Sequence, residues 1–214
     1  MPCKLHLAVI HNPILIASFL GFSLFAASQV PPKPATPKPA PDAQLYRNST
    51  FGFRYEIPYG WVDRSKEMRA QQGEEKGGVK NAVGRASATN DVLLAVFERP
   101  PGAAGATVNS AVVIATEGIS AYPGLKRAED YYGPLTDLAT AKGFKPAGDP
   151  SAIEIDGHQF FRADFVKSLN EKLAMHQSTL VLLAKSQIVS FTFISGDEDE
   201  LDDLIDRLHF TTGR

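Results

Sequence analysis

Phe51-Gly52-Phe53-Arg54-Tyr55-Glu56-Ile57-Pro58-Tyr59-Gly60-Trp61 is the stretch on which the fold turns. Large apolar side chains at 51, 53, 55 and 57 alternate with Gly52, Arg54 and Glu56. A period of two places the large residues on one face of a strand. Pro58 has no N–H for a sheet ladder, so the strand stops there or continues only as an edge. Gly60 permits a tight turn, and Trp61, the only tryptophan, follows it. These aromatics read as core and corner, because rings on a period-two face dominate burial; lining for a ligand pocket is the alternative.

The chain before this stretch reads as delivery and tether. Residues 1–28 have a weakly basic start at Lys4, an apolar run at 14–25, and small residues at Ala26-Ala27-Ser28. This is the tripartite order of a secretory signal peptide. An uncleaved anchor formed by residues 5–28 is the alternative, although the apolar run is short of the roughly 20 residues a spanning helix needs. Residues 29–44 read as a linker. Prolines at 31, 32, 34, 37, 39 and 41 favour polyproline II, and at about 3.1 Å per residue Pro31–Asp42 reaches roughly 37 Å. The expected location is extracytoplasmic, periplasmic or secreted.

Residues 45–214 read as one domain, long enough to bury a sizeable core. Without residues 1–28, whose only charged side chain is Lys4, 21 basic side chains face 24 acidic ones, a net charge of −3. That balance and the lack of a basic run argue against a nucleic-acid binder. Cys3 is the only cysteine and lies in the leader. The mature chain therefore has no disulfide, thiolate metal site or cysteine nucleophile.

Along the domain, the spacing predicts a short helix over 65–72 capped by Ser65, a polar loop over 73–90, and a strand at 92–97. A turn at 101–105 and a strand at 108–116 follow. Helix is expected on both sides of Gly133-Pro134, with Gly143 as its carboxyl cap. Asp156-Gly157 between apolar runs is a hairpin signal. With a turn near Lys185-Ser186, it predicts four consecutive antiparallel strands over 153–194. The last helix opens on Asp197–Glu200, read as a capping box between Asp197 and Glu200. Leu201, Leu204, Ile205 and Leu208 form its apolar stripe, and Phe210 is expected in the core. The acidic cluster 197–203 reads as capping and solvated face, since no glycine-bearing loop spaces the acids around a cation.

Chemistry-bearing signals are few. His6 and His11 belong to the leader, and His158, His176 and His209 have no partner at metal-ligand spacing. There is no H-E-x-x-H, G-x-S-x-G, P-loop or dinucleotide fingerprint, and no cofactor or metal is expected. One constellation stands out. A turn centred near Asn170 would set Asp164 opposite His176 and Arg162 opposite Ser178, all on one face. A carboxylate beside a histidine can orient it as a base. The alternative is an ordinary cross-strand polar cluster.

The element order resembles the PsbP-like superfamily, with Phe53, Tyr55, Pro58 and Trp61 standing where that family carries its aromatic–proline–tryptophan opening. The resemblance covers about residues 45–210. The family includes the extrinsic oxygen-evolving-complex protein of photosystem II, the yeast-type Ran-binding relatives and exported bacterial proteins. It implies an α+β fold, an α/β/α sandwich whose central antiparallel sheet is flanked by helices. It also implies a non-enzymatic binding or accessory role, with an envelope protein or small ligand as partner. Two other functions stay open. One is a small extracytoplasmic hydrolase or metal-dependent enzyme using Asp164 and His176. The other is a structural envelope protein tethered by its N-terminal segment.

Overall fold

A computed structural model describes residues 44–78, 91–100, 102–103 and 105–211. The leader and almost all of the linker lie outside the described residues, as do 79–90 of the expected polar loop and Pro101 and Ala104 of the expected turn.

The opening stretch forms β2 (Phe53–Ile57), with Phe53, Tyr55 and Ile57 buried as the alternation requires. The strand ends before Pro58, and Gly60 takes φ +82° in the turn that follows. Its partner β1 (Gln44–Asn48) pairs with it antiparallel. The strand therefore begins at Gln44, the last residue assigned to the linker. The sequence hides β1 because most of it is exposed on a sheet edge. β11 (Leu208–Phe210) completes this three-stranded sheet in the order β1-β2-β11.

The larger sheet runs β3-β4-β5-β10-β9-β8-β6, and β7 also pairs with β8. Its strands are β3 (Val62–Asp63), β4 (Asp91–Phe97), β5 (Ala111–Gly118) and β6 (Lys145–Pro146), then β7 (Ser151–Ile155), β8 (His158–Ser168), β9 (Ala174–Ala184) and β10 (Gln187–Ser195). All pairings are antiparallel. The Asp156-Gly157 hairpin has φ +49° and +80°, as a primed turn demands. Lys185 and Ser186 adopt φ +51° and +60° in the next hairpin without a glycine.

One face of this sheet carries Leu94, Val96, Ile114, Leu180, Phe191 and Phe193. It receives β2, β11 and α3 (Glu198–Ile205). The Tyr55 hydroxyl donates to the Leu204 carbonyl at 3.1 Å, tying the small sheet to α3. The opposite face carries Phe161, Ala163, Phe165, Val181 and Ile188. Over it lie the 3-10 turn Ala128–Tyr131 and α2 (Tyr132–Ala141), with Pro134 in the first turn of α2 and Gly143 at φ +83° just beyond its end. The α+β class and the antiparallel sheet are as the sequence implies. The flanking layers are not helices alone, because a second β-sheet shares one face with α3.

Five local expectations are corrected. Helix α1 (Ser65–Gly78) runs six residues past the expected end at Gln72. Asp63, not Ser65, caps it: Asp63 Oδ1 accepts the Ser65 N–H at 2.8 Å and the Ser65 hydroxyl at 2.6 Å. Ser65 Oγ in turn accepts the Ala95 N–H, and the Arg69 guanidinium donates to the Val92 carbonyl. Helix α1 thus occupies the outer edge of β4 by polar contacts, which blocks edge-to-edge pairing. At the far end, Asp197 caps α3 through the Asp199 N–H, but Glu200 turns away to Ser110 and Ser195 instead of closing a capping box. Helix α3 also stops at Ile205, so Leu208 reaches the core from β11 rather than from the helix stripe. The first long strand of the middle segment spans 111–118 rather than 108–116. Among the described residues, no helix is long and apolar enough to cross a membrane.

Candidate functional site

The polar constellation read from the sequence falls on the α3 side of the large sheet, but its register differs. Asp164 lies opposite Ser178, Arg162 opposite Leu180, and His176 opposite Val166. The turn closes through N–H bonds from Leu169 and Asn170 to the Leu173 carbonyl. That moves every pair by two residues while keeping all four side chains on one face. No hydrogen bond joins Asp164 to His176. Arg162 Nε holds both Asp164 oxygens at 3.0 and 3.1 Å, and its Nη1 reaches Asp202 Oδ1 at 3.1 Å. His176 Nδ1 instead faces Glu198 Oε1 at 3.2 Å. These are ties between the sheet and α3. Ser178 is fully buried, and its hydroxyl has no hydrogen-bond partner among the described residues. The other two domain histidines sit elsewhere: His158 stacks on Phe210 with centroids 4.5 Å apart, and His209 lies 3.7 Å from Glu56 and 3.9 Å from Asp156.

The opposite face holds a cluster that the sequence reading missed. Glu117, at the end of β5, is buried at 8% exposure. The Tyr131 hydroxyl donates to its Oε1 at 3.0 Å, and the Tyr122 hydroxyl donates to its Oε2. A carboxylate this deep needs such donors, since an unpaired one is far costlier. Burial first, and the neighbouring Glu117 carboxylate next, push the Tyr131 phenol well above its ordinary value. Burial and the hydrogen bond to Glu117 also raise Tyr122. Both phenols therefore remain donors at neutral pH. The two rings meet edge to face, with centroids 5.2 Å apart. The available signal was a charged residue at an inward-facing strand position, in Ala115-Thr116-Glu117-Gly118.

This network fastens the turn Ala128–Tyr131 to the sheet, and beside that turn opens a cavity of about 410 Å³. Phe161, Leu183 and Ala152 contribute apolar surface from β8, β9 and β7, and Ala128 faces them from the turn. Lys126, Arg127, Glu129 and Gln159 line it as well. The volume lies within the range of small-molecule clefts, which combine apolar walls with a few placed polar groups. Asp130 fixes the backbone that carries the two cations: its Oδ2 accepts the N–H groups of Lys126 and Arg127, each at 2.9 Å. Those N–H bonds, that from Lys126 first, hold the Asp130 carboxyl below its ordinary value. Arg127 Nε lies 3.9 Å from Glu129, the Gln159 amide donates to Glu154, and Lys126 has no ion-pair partner among the described residues. No metal-binding group of three or more His, Cys, Asp or Glu side chains occurs among the described residues.

No protein-family model matches the chain, and no curated protein sequence matches it. Solved structures do. The chain is similar to the solution structure of the cyanobacterial PsbP (CyanoP) of Synechocystis at 17% identity, over 79% of this chain and 92% of that one, with a TM-score of 0.45. It is similar to the Ran-binding protein Mog1p of Saccharomyces cerevisiae at 8% identity, over 79% and 95% of the two chains, with a TM-score of 0.42. A third similarity is to LpqN of Mycobacterium tuberculosis, described as involved in cell envelope biogenesis, at 13% identity over 79% and 86%, with a TM-score of 0.38. PsbP-like folds are thus among the structures this chain is similar to, as its aromatic opening and element order imply.

Proposed function

We propose that this chain is an exported, non-catalytic binding or accessory domain whose contact point is the cavity beside Ala128–Tyr131. The supporting observation is that this cleft has a fixed wall: Glu117 and the two tyrosines anchor it to the central sheet, and Asp130 sets the turn that presents Lys126 and Arg127. Binding sites gain affinity when their walls are ordered before the ligand arrives. The leader and proline-rich segment of the sequence fit delivery across a membrane and display at a distance from it. The hydrolase alternative draws no support from the polar face, because Arg162 occupies Asp164 and Glu198 occupies His176.

A photo-crosslinking side chain at the exposed position Ala152, introduced into the full chain in its native envelope, tests this reading. Covalent capture of a discrete species from Ala152, but not from exposed Asp203 on α3, supports it. Capture from Asp203 alone overturns it, as does ester or amide hydrolysis by the purified chain that disappears on His176→Ala.

A further inference from the structure

We propose that the outer face of the small sheet binds a tetrahedral oxyanion, a phosphate or sulfate group, between Arg47 of β1 and Arg54 of β2. The site is independent of the cavity. Strand register assembles it. Phe53, Tyr55 and Ile57 of β2 are buried, so Arg54 and Glu56 point outward. Arg47 stands directly opposite Arg54 on β1, and His209 stands directly opposite it on β11. Like charges opposed across a strand pair destabilise a sheet. Among the described residues no carboxylate oxygen lies within 4.0 Å of either guanidinium to offset that repulsion. Arg54 carries a second, independent deficit. Its Nε is buried and has no hydrogen-bond partner among the described residues. A buried donor of this kind calls for an acceptor from protein, water or an ion.

The acids on this face keep their full charge and do not reach the pair. Glu56 lies 3.7 Å from His209 Nε2 and Asp156 lies 3.9 Å from His209 Nδ1, so both gather toward β11. Asp156 also accepts the Phe210 N–H at 2.8 Å. Asp206 and Arg207, where α3 ends, add one charge of each sign. Leu45, opposite Glu56, adds none. The face is thus balanced in sum but separated in space, with Arg47 and Arg54 together on the β1 side. Geometry then selects the anion. A guanidinium is a planar fork of donors, and one carboxylate fills one fork. Two forks on neighbouring strands need oxygens in more than one plane, which phosphate and sulfate have. No strand lies beyond β1, and Arg47 is exposed, so the group is reached from solvent whether it is free or carried on a larger molecule.

Inorganic phosphate and acetate, titrated into the full chain at fixed ionic strength and followed by amide and arginine Nε–H shifts, test the proposal. Phosphate is expected to give saturable shifts centred on Arg47, Phe53 and Arg54, and acetate to bind about ten-fold more weakly. Arg54→Gln should abolish the saturable shifts. Arg47→Gln supplies a reading by thermal melting. In chloride it should melt no lower than the wild type, because it removes an opposed like charge. In phosphate of the same ionic strength it should melt lower, because a ligand that binds the folded chain stabilises it. Shifts that grow without saturating, shifts centred elsewhere, equal binding of acetate, or the same order of melting temperatures in both buffers overturn the site. Vesicles separate the sources of the group. Co-sedimentation with phosphatidylglycerol in excess of phosphatidylcholine, lost in Arg54→Gln, supports the site and assigns a lipid headgroup. Saturable phosphate binding without that excess supports the site and assigns a soluble phosphate or phosphate ester.

Discussion

Tyr131 donates its hydroxyl to Glu117 across 3.0 Å and so bonds the turn beside the cavity to a central strand of the large sheet. Glu117 lies opposite Ile188, and Ile188 lies opposite Leu183 on the cavity floor. One buried carboxylate thereby fixes the spacing between the wall and floor of the same cleft. Tyr131→Phe keeps the ring and deletes the donor. It should destabilise the domain by about 1–3 kcal/mol, the range for leaving a buried polar group short of a partner, as read by a urea titration. Glu117→Gln leaves an acceptor for one tyrosine and should cost less than Glu117→Leu, which leaves both hydroxyls without their acceptor.

Stability should fall at alkaline pH. Tyr131 and Tyr55 are raised above the ordinary phenol value of 10.0, mainly by burial. Above that value the unfolded chain releases these protons while the folded chain retains them. The unfolded state then binds fewer protons, so unfolding becomes easier as pH rises. The contribution is intact below about pH 10 and is lost progressively above it, at about 1.4 kcal/mol per pH unit for each such phenol. Urea midpoints measured at several pH values above 10 should decline, and Tyr131→Phe should decline less steeply. Parallel slopes for the two proteins would mean that Tyr131 titrates in the folded state as it does in water.

The aromatic core should answer unequally to truncation. Phe191 is fully buried and meets Phe53 at 5.1 Å, Phe160 at 5.8 Å and Phe210 at 6.2 Å. Phe191→Ala should cost about 3–5 kcal/mol in a denaturant titration. Trp61 packs against this core but is only half-buried, so Trp61→Ala should cost less than Phe191→Ala. Equal losses would place the indole deeper in the core than its exposure indicates.

The Lys185-Ser186 hairpin offers a stabilising change. Ser186 sits at φ +60°, where a Cβ is strained and glycine is not. Ser186→Gly should raise stability by up to about 1 kcal/mol, the left-handed strain being partly offset by the extra freedom of glycine in the unfolded chain. A rise in melting temperature is the expected result, and an unchanged or lower value would mean that the turn carries no strain at Ser186.

Strong local patterns survive into the fold. The alternation at 53–57 gives a buried strand, Asp156-Gly157 makes the turn its φ preferences demand, and the acids at 197–200 open a helix. The failures have physical causes. β1 and β11 are short strands whose pairing with β2 does not show in their own periodicity. Leu208 continues the α3 spacing, yet the helix ends at Ile205 and the Glu56 N–H takes the Arg207 carbonyl instead. The Asp164 and His176 register depended on where one polar loop closes, and a shift of two residues gave each side chain a different partner. The cavity was not legible at all. Its walls come from 126–129, 152, 159–161 and 182–183, and only the sheet order brings those segments together.

Native mass spectrometry of the full chain, recovered from cells that express it, tests the binding claim most directly. A discrete low-mass adduct is expected on the wild-type chain, absent from Ala152→Trp and retained by His176→Ala. An adduct retained by Ala152→Trp but lost with His176→Ala would contradict it, and would move the site to the α3 face.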